Sequence, residues 1–437
     1  MQKNLILIKN CTLIAVDLNQ PIVQRDVDIL IEDTKIKSIG KDIVAQGAKI
    51  IDGQNKYVTP GFINCHAHIP MSVFREAIDG YGLQDWLTKA IWPIENKLNI
   101  DDIYWFSLLS MYESLSNGVT TINDMYFLTE GIIKAKHAAL INLYTTITLM
   151  DIDGESNGKK RWDNFINMVE KYPNENIIMS FHGLNTCSPK YIQTCVEAYK
   201  NFQKNSNAKS NLLHIHFCEN TQEVADTCKK HNITVPSVAL QKYFKDFKLI
   251  LAHAVKTTSA DLDILKQLNC TVCHDPVSNL RLGSGVCDII KLREHGINVC
   301  LGTDGQGSGS NLSMLKEMRL ACLLPKGLKE NPSIINAYDA LQMATINGAK
   351  ALGIEKSKGS VSIGKDADLN IFNFKAIEMF PVNDVVSDLV YNANSEDIET
   401  VIVGGKIIIE NHAHVLLKKE EITKKCAELI NEIKKRQ

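Results

Sequence analysis

Gly61-Phe62-Ile63-Asn64-Cys65-His66-Ala67-His68 is a short apolar run that closes on two histidines, directly after Thr59-Pro60. The same design returns along the chain, giving eight candidate strands at 61–68, 119–126, 143–150, 176–184, 212–219, 248–255, 271–276 and 298–305. A parallel strand covered on both faces reads as a near-continuous apolar run. Helix-like stretches at 101–117, 163–171, 221–231 and 259–268 lie between them, and such alternation implies parallel pairing through right-handed crossovers. Polar residues end nearly every run: Asp124, Asp151, His182, Glu219, His253, Asp275 and Asp304. An open sheet gathers its site at one switch point, whereas a closed eight-stranded barrel gathers it at all its C-terminal strand ends. The expected fold is therefore α/β, a (β/α)8 TIM barrel over 59–358 with a metal site at its mouth, and so a hydrolase.

Outside that block the pattern changes. Short strand-like pieces at 5–8, 12–16, 28–32, 35–39 and 48–52 are separated by turn residues, as in a β-meander. β-rich sequence returns after Gly359 and includes Gly404-Gly405 flanked by β-branched residues, a hairpin signal. Neither end buries a core alone, so 1–58 and 359–415 are expected to pair into one small β-sandwich domain. Residues 416–437 read as a solvated amphipathic C-terminal helix, because Glu420, Glu421, Glu428 and Glu432 interleave its lysines.

Composition narrows the class. The 437 residues are 45% apolar and 22% charged with a net charge of −2, values ordinary for a globular enzyme. That charge gives no field favouring nucleic acid or an anionic membrane surface. The run Leu5 to Val16 is interrupted by Lys9, Asn10 and Thr12, unlike a secretory signal, and no apolar run is long enough to span a bilayer. Twelve scattered cysteines, several inside candidate strands (Cys65, Cys218, Cys273, Cys300), behave as buried hydrophobes. The pair Cys270 and Cys273 has no second pair at structural-zinc spacing. A cytoplasmic protein with a small-molecule substrate is expected, with no nucleic-acid or membrane partner; a homo-oligomer is left open.

His66 and His68 lie two apart on a strand, so both imidazoles project to one face and offer two nitrogen ligands to a divalent metal, zinc first and iron second. His-x-His spacing alone is weak, since it recurs at 214/216 and 412/414. His412 and His414 read as surface histidines and His214 as a satisfied core histidine. Glu219 closes the fifth strand and suits general acid/base work, because a dry barrel mouth raises a carboxyl pKa toward neutrality. His253 and Asp304 close the sixth and eighth strands. The loop Gly305-Gln306-Gly307-Ser308-Gly309 lets backbone approach a ligand closely, but no Gly-Lys-Ser/Thr follows, so it is not a P-loop. His274 and Asp275 either line the pocket or form the turn that Pro276 fixes. The fourth strand carries no lysine to bridge two metals, so a single ion is expected.

Taken together these residues resemble the amidohydrolase superfamily along nearly the whole chain. Pro60-Gly61-Phe62-Ile63-Asn64-Cys65-His66-Ala67-His68 is similar to its opening motif, and His216-Phe217-Cys218-Glu219, His253 and Gly302-Thr303-Asp304-Gly305 to its later ones. The stretches 86–95, 274–285, 311–321 and 379–382 resemble the 5-methylthioadenosine/S-adenosylhomocysteine deaminase branch, a neighbour of the triazine chlorohydrolases. The resemblance implies a metal held by His66, His68, His216 and Asp304. It implies Glu95 on the ribose hydroxyls and His182 and Glu219 on the substrate. It implies hydrolytic deamination of an adenosine derivative, with Asp304 taking the proton of water, Glu219 protonating a ring nitrogen, and His253 hydrogen-bonding the tetrahedral centre. The branch's third-strand arginines are missing from Ile141-Asn142-Leu143-Tyr144-Thr145-Thr146-Ile147, and the fourth-strand loop reads His182-Gly183-Leu184-Asn185. Both departures shift the expectation toward a shorter adenosine derivative or another aminated ring such as guanine, a pterin or a cytosine. Hydrolytic dechlorination is the nearest alternative reaction. A non-catalytic barrel scaffold predicts loss of some of His66, His68, His216, Glu219, His253 and Asp304, and all six are present.

Overall fold

The computed structural model describes residues 4–17, 19–76, 79–205 and 210–436. The N-terminal segment forms β1 (Leu5–Ile14), β2 (Val23–Glu32), β3 (Lys35–Gly40), β4 (Lys49–Asp52) and β5 (Tyr57–Pro60). Then come β6 (Phe62–Ala67), β7 (Val119–Asp124), β8 (Asn142–Thr145) and β9 (Asn176–Ile177), which build a four-stranded parallel sheet. β10 (Met179–Gly183), β11 (Leu212–Phe217), β12 (Lys248–His253), β13 (Thr271–His274) and β14 (Asn298–Leu301) build a five-stranded parallel one. Near-continuous burial is what parallel strands covered on both faces require: β6, β7 and β13 are buried throughout, and β12 at every residue but Lys248.

The fourth candidate strand is divided. Ile178 separates β9, which pairs with β8, from β10, which pairs with β11. The chain curls here, so one strand serves different neighbours along its length. Backbone bonds join the two parallel sheets at both margins. Leu149 N donates to Ser180 O (3.0 Å) and His182 N to Leu149 O (2.9 Å), while Thr303 N and Asp304 N both donate to His66 O (3.0 Å each). These last two bonds tie the end of β14 onto the metal-capable end of β6.

β15 (Leu369–Phe372), β16 (Ile398–Val403), β17 (Lys406–Glu410) and β18 (Ala413–His414) complete a nine-stranded sheet with β1–β5. β15 runs antiparallel to β5, with Leu369 opposite Pro60 and Phe372 opposite Tyr57, so both chain ends share one sheet. Ile8, Leu13, Ile29, Val58, Leu369 and Ile402 make its apolar core. The single strand β1 replaces the two expected pieces because Lys9 and Asn10 sit in the strand, where Asp28 accepts from Lys9 Nζ and Asn10 N (2.8 Å each).

Helices fill the connections. Ile100–Ser116 opens on a capping box between Asn99 and Asp102, which satisfies otherwise unpaired N–H groups. The helix expected at 163–171 begins at Glu155. Lys419–Lys435 buries Ile422, Cys426, Leu429 and Ile433, and Cys426 Sγ reaches Trp105 O. Just beyond it, Arg436 grips both carboxylate oxygens of Asp102 and the Lys97 carbonyl. Among the described residues no helix is long and apolar enough to cross a membrane.

Gly302, at the end of β14, is required by close approach. A Cβ there would lie 2.7 Å from Cys273 Sγ, 2.8 Å from His66 Cβ and against Asp275 Oδ1. Overpacking of this kind forces backbone shifts, so Gly302→Ala is expected to lower unfolding stability by about 1–3 kcal/mol. Denaturant unfolding measures it; an unmoved midpoint would show that β14 and β6 can part freely here.

Candidate active site

Four strand ends bring the polar groups together. His66 and His68 come from β6, His216 from β11, His253 from β12, and Asp304 from just beyond β14. His253 (φ 74°) and Asp304 (φ 57°) are both left-handed, a region that costs an L-residue roughly 1–2 kcal/mol. Strain at two functional positions is held by local bonds: the His253 N–H donates to Asp275 Oδ2 (3.2 Å), and the Asp304 N–H to His66 O.

The imidazoles are aimed from behind. His68 Nδ1 donates to Met125 O (2.5 Å) and His216 Nδ1 to His182 O (2.6 Å). Their Nε2 atoms then meet 3.3 Å apart, and His68 Nε2 lies 3.0 Å from Asp304 Oδ1. In neutral rings both Nε2 atoms carry lone pairs, an arrangement that repels unless a cation lies between them. His66 Nδ1 faces His214 Nε2 (3.0 Å); its own Nε2 is 3.4 Å from Asp304 Oδ1, buried and without a hydrogen-bond partner among the described residues. Donor atoms of His66, His68 and Asp304 lie within 4.8 Å of one another, as do those of His66, His216 and His253. Ring nitrogens fixed by backbone carbonyls and converging with a carboxylate are the donor set of a divalent metal. The residues fit such an ion.

Asp304 is itself oriented. Ser278 Oγ (2.6 Å) and Ser308 Oγ (2.8 Å) both donate to Oδ2, leaving Oδ1 for the histidines. Burial alone would raise its pKa, but His66 and His68 hold the carboxyl well below the usual range. Burial opposes charge on His68, yet Asp304 and the Met125 carbonyl push it up to about 9. Burial pushes His66 down to about 3 and His216 well below its ordinary value. Glu219 moves the other way: burial first, then the Asp304 charge, raise it to about 8. It lies 3.8 Å from His253 Nε2 and accepts from Ser284 Oγ (3.3 Å).

A cavity of about 810 Å³ opens over His68, His216, Glu219, His253 and Asp304, and Glu95 and His182 stand on its wall with Trp86, Leu87 and Met150. Burial raises Glu95 and lowers His182 to about 4. Seven of the eight expected site residues line this space; the eighth, His66, does not.

A family model described as the amidohydrolase family matches residues 57–408. The chain belongs to the amidohydrolase family. This amidohydrolase is 38% identical to a 5′-deoxyadenosine deaminase of Methanocaldococcus jannaschii, over 92% of this chain and 95% of that protein. It is 36% identical to a 5-methylthioadenosine/S-adenosylhomocysteine deaminase of Thermoanaerobacter pseudethanolicus, over 93% and 94%. Among solved structures, the zinc complex of an atrazine chlorohydrolase from Arthrobacter aurescens superposes with a TM-score of 0.87 at 25% identity, covering 97% of this chain and all of that one.

Several functional contacts of this amidohydrolase escape sequence reasoning. His214 does have the satisfied core position expected of it, with Asn123 on its other nitrogen (3.1 Å), but it also backs His66. Glu223 accepts from the Cys218 and Glu219 N–H groups (3.0 and 2.6 Å), pinning the turn that carries Glu219. The signal for it was local: Asn220 caps the helix Thr221–His231, which places Glu223 in the first turn. Asp275 lies against His253 rather than merely making a turn. Two expectations are corrected. The glycine loop does not line the cavity; Gly305 packs on His68 and Met71, and Gly307 on Trp86 and Phe74. His414 is buried rather than on the surface, because its Nε2 lies on Ala139 O (3.2 Å), its ring stacks on Tyr112 of the helix Ile100–Ser116, and its Nδ1 accepts from the Leu416 and Leu417 N–H groups.

Proposed function

We propose that this amidohydrolase is a metal-dependent hydrolytic deaminase of adenosine derivatives. The observation that carries the reading is Glu219: a buried carboxyl, raised to about 8 by burial and the Asp304 charge, beside a convergent His/Asp donor set. A displaced chloride needs no proton, whereas a departing ammonia does. The similarity to deaminases of 5′-deoxyadenosine and methylthioadenosine supports the substrate class.

His66, His68, His216 and Asp304 would hold one ion, with zinc favoured over iron by imidazole-carboxylate ligation. When bound, such an ion supplies Lewis-acid activation of water. Asp304 is placed to accept a proton from the attacking water, and Ser278 and Ser308 keep its carboxylate turned for the transfer. Glu219 donates its proton to the ring nitrogen beside the amine-bearing carbon, which makes that carbon electrophilic. A new C–O bond forms. Glu219, left as a carboxylate, takes the proton of the new hydroxyl and passes it to the amine. The C–N bond breaks as nitrogen leaves as ammonia, and the proton held by Asp304 restores the Glu219 acid. His253 hydrogen-bonds the oxygen at the reacting carbon. Glu95 on the cavity wall would take the ribose hydroxyls and His182 the base. The absence of arginine from 141–147 and the apolar wall of Leu87 and Met150 favour an uncharged 5′ substituent.

The same reading closes the two parallel sheets into a (β/α)8 barrel spanning 59–358. It sets the strands of 1–58 and 359–415 apart as a β-sandwich domain, with 416–437 as an appended helix. The interlocking bonds at His66 and Leu149 support closure, and the free cysteines support a reducing cytoplasm.

An ammonia-release screen over methylthioadenosine, S-adenosylhomocysteine, adenosine, 5′-deoxyadenosine, guanine and pterins tests the proposal. Turnover is expected on 5′-deoxyadenosine and methylthioadenosine above S-adenosylhomocysteine. Silence on all adenosine derivatives, with ammonia from another ring, would move the substrate class and leave the acid/base chemistry standing.

A further inference from the structure

The segment after β13 reaches each acid/base group of the site. Asp275 and Asn279 touch His253, Ser278 touches Asp304 and Ser284 touches Glu219. The contacts to His253 carry chemical information. Its Nδ1 lies 2.9 Å from Asn279 Oδ1 and 3.5 Å from Asp275 Oδ2. The Asn279 amide oxygen accepts, and Asp275 Oδ2 already accepts from the His253 N–H, so the proton they select on the ring is the one on Nδ1.

We infer that Asp275 and Asn279 are positioning residues that fix His253 as its Nδ1–H tautomer and present the Nε2 lone pair to the reacting centre. The inference rests on the deaminase reading for what that lone pair meets. It sharpens the role of His253: a neutral ring in this tautomer accepts a hydrogen bond from the attacking oxygen's proton and so steers that oxygen's remaining lone pair toward carbon. A ring protonated on Nε2 would instead donate to the product-side oxygen.

Three observations favour selection of a tautomer over simple packing. Asn279 is buried and its Oδ1 is held 2.9 Å from the ring's Nδ1. His253 holds a left-handed backbone anchored by the same Asp275 carboxylate that faces its ring. The remaining groups around the ring are Glu219, 3.8 Å from Nε2, and the His66 and His216 rings, with centroids at 5.2 and 5.4 Å. None of these competes for Nδ1. Packing alone would need neither the aimed oxygen nor the left-handed backbone.

Nitrogen-15 spectra of histidine-labelled, metal-loaded protein test this directly, with the His253 signals assigned by their loss in His253→Gln. The protonated-nitrogen shift is expected on Nδ1 and the unprotonated one on Nε2. Asn279→Leu, which keeps the branched shape and removes the acceptor, is expected to blur that assignment toward a tautomer mixture. It should lower kcat by about 10- to 100-fold, as loss of an outer-shell partner does, with KM and metal content unchanged. Asn279→Asp restores an acceptor and is expected to recover most of kcat. A proton on Nε2 in the wild-type ring, full turnover in Asn279→Leu, or an Asp variant as slow as the Leu variant overturns the inference. Failure of the wild-type protein to release ammonia from every adenosine derivative overturns the function instead, and the imidazole spectrum still decides the tautomer.

Discussion

Glu219→Gln is expected to lower kcat by about 10²–10⁴-fold while KM, metal content and the unfolding midpoint stay close to wild type. The argument turns on what the side chain is at neutral pH. Burial and the Asp304 charge push its pKa up to about 8, so the native group is a neutral acid that both accepts from Ser284 and donates into the cavity. Gln has the same shape, the same neutrality and a donor at the same place. Substrate binding and local packing therefore survive, and only proton transfer is lost. Glu223 offers no substitute, because both its oxygens are occupied by the Cys218 and Glu219 N–H groups. Steady-state kinetics on the best substrate of the ammonia screen measure the effect. Near-native kcat would remove Glu219 from the chemistry; a large rise in KM alone would make it a binding group.

How much of this was legible in the sequence depends on the range of the interaction. Period and apolar continuity are local, so the strands and the residues that end them could be read from neighbours in the chain. The loud signal at His66 and His68 gained its meaning from place, since the identical spacing at His412 and His414 leaves one ring exposed and packs the other on Tyr112. What could not be read is which side chain stands behind which. His214 backs His66 across 148 residues of sequence and Met125 O backs His68 across 57, and no periodicity encodes such a pairing. The stretch from Asp275 to Ser284 shows the limit most clearly. A proline-led turn near a strand end was visible, but its distribution over His253, Asp304 and Glu219 follows only from how the parallel strands curl together. The split of β9 from β10 at Ile178 belongs to the same class, because a strand's partners change while its sequence runs on smoothly.

Removing the metal is expected to abolish activity, to be reversed by zinc, and to make stability depend on pH in a way the loaded protein does not show. Without a cation the site still contains the buried Asp304 carboxylate against His68 Nε2 at 3.0 Å. A proton on His68 is what neutralises it, and Asp304 and the Met125 carbonyl raise that imidazole to about 9 against the burial that opposes it. The folded pKa lies above the ordinary value of about 6.5, so His68 protonation stabilises the metal-free fold fully below pH ~6.5 and progressively less as pH rises through about 9. The metal-free protein is therefore expected to lose stability across that window. A bound divalent ion takes the proton's place, so loading at neutral pH should release about one proton from His68 and add about 4 kcal/mol of stability at a free ion concentration a thousand times Kd. Calorimetric titration in buffers of different ionisation enthalpy counts the proton, and unfolding from pH 6 to 9 with and without metal reads the slope. Loading without proton release at pH 7, together with parallel stability curves for the two forms, would mean that His68 is neutral in the empty site and that Asp304 finds its counter-charge elsewhere.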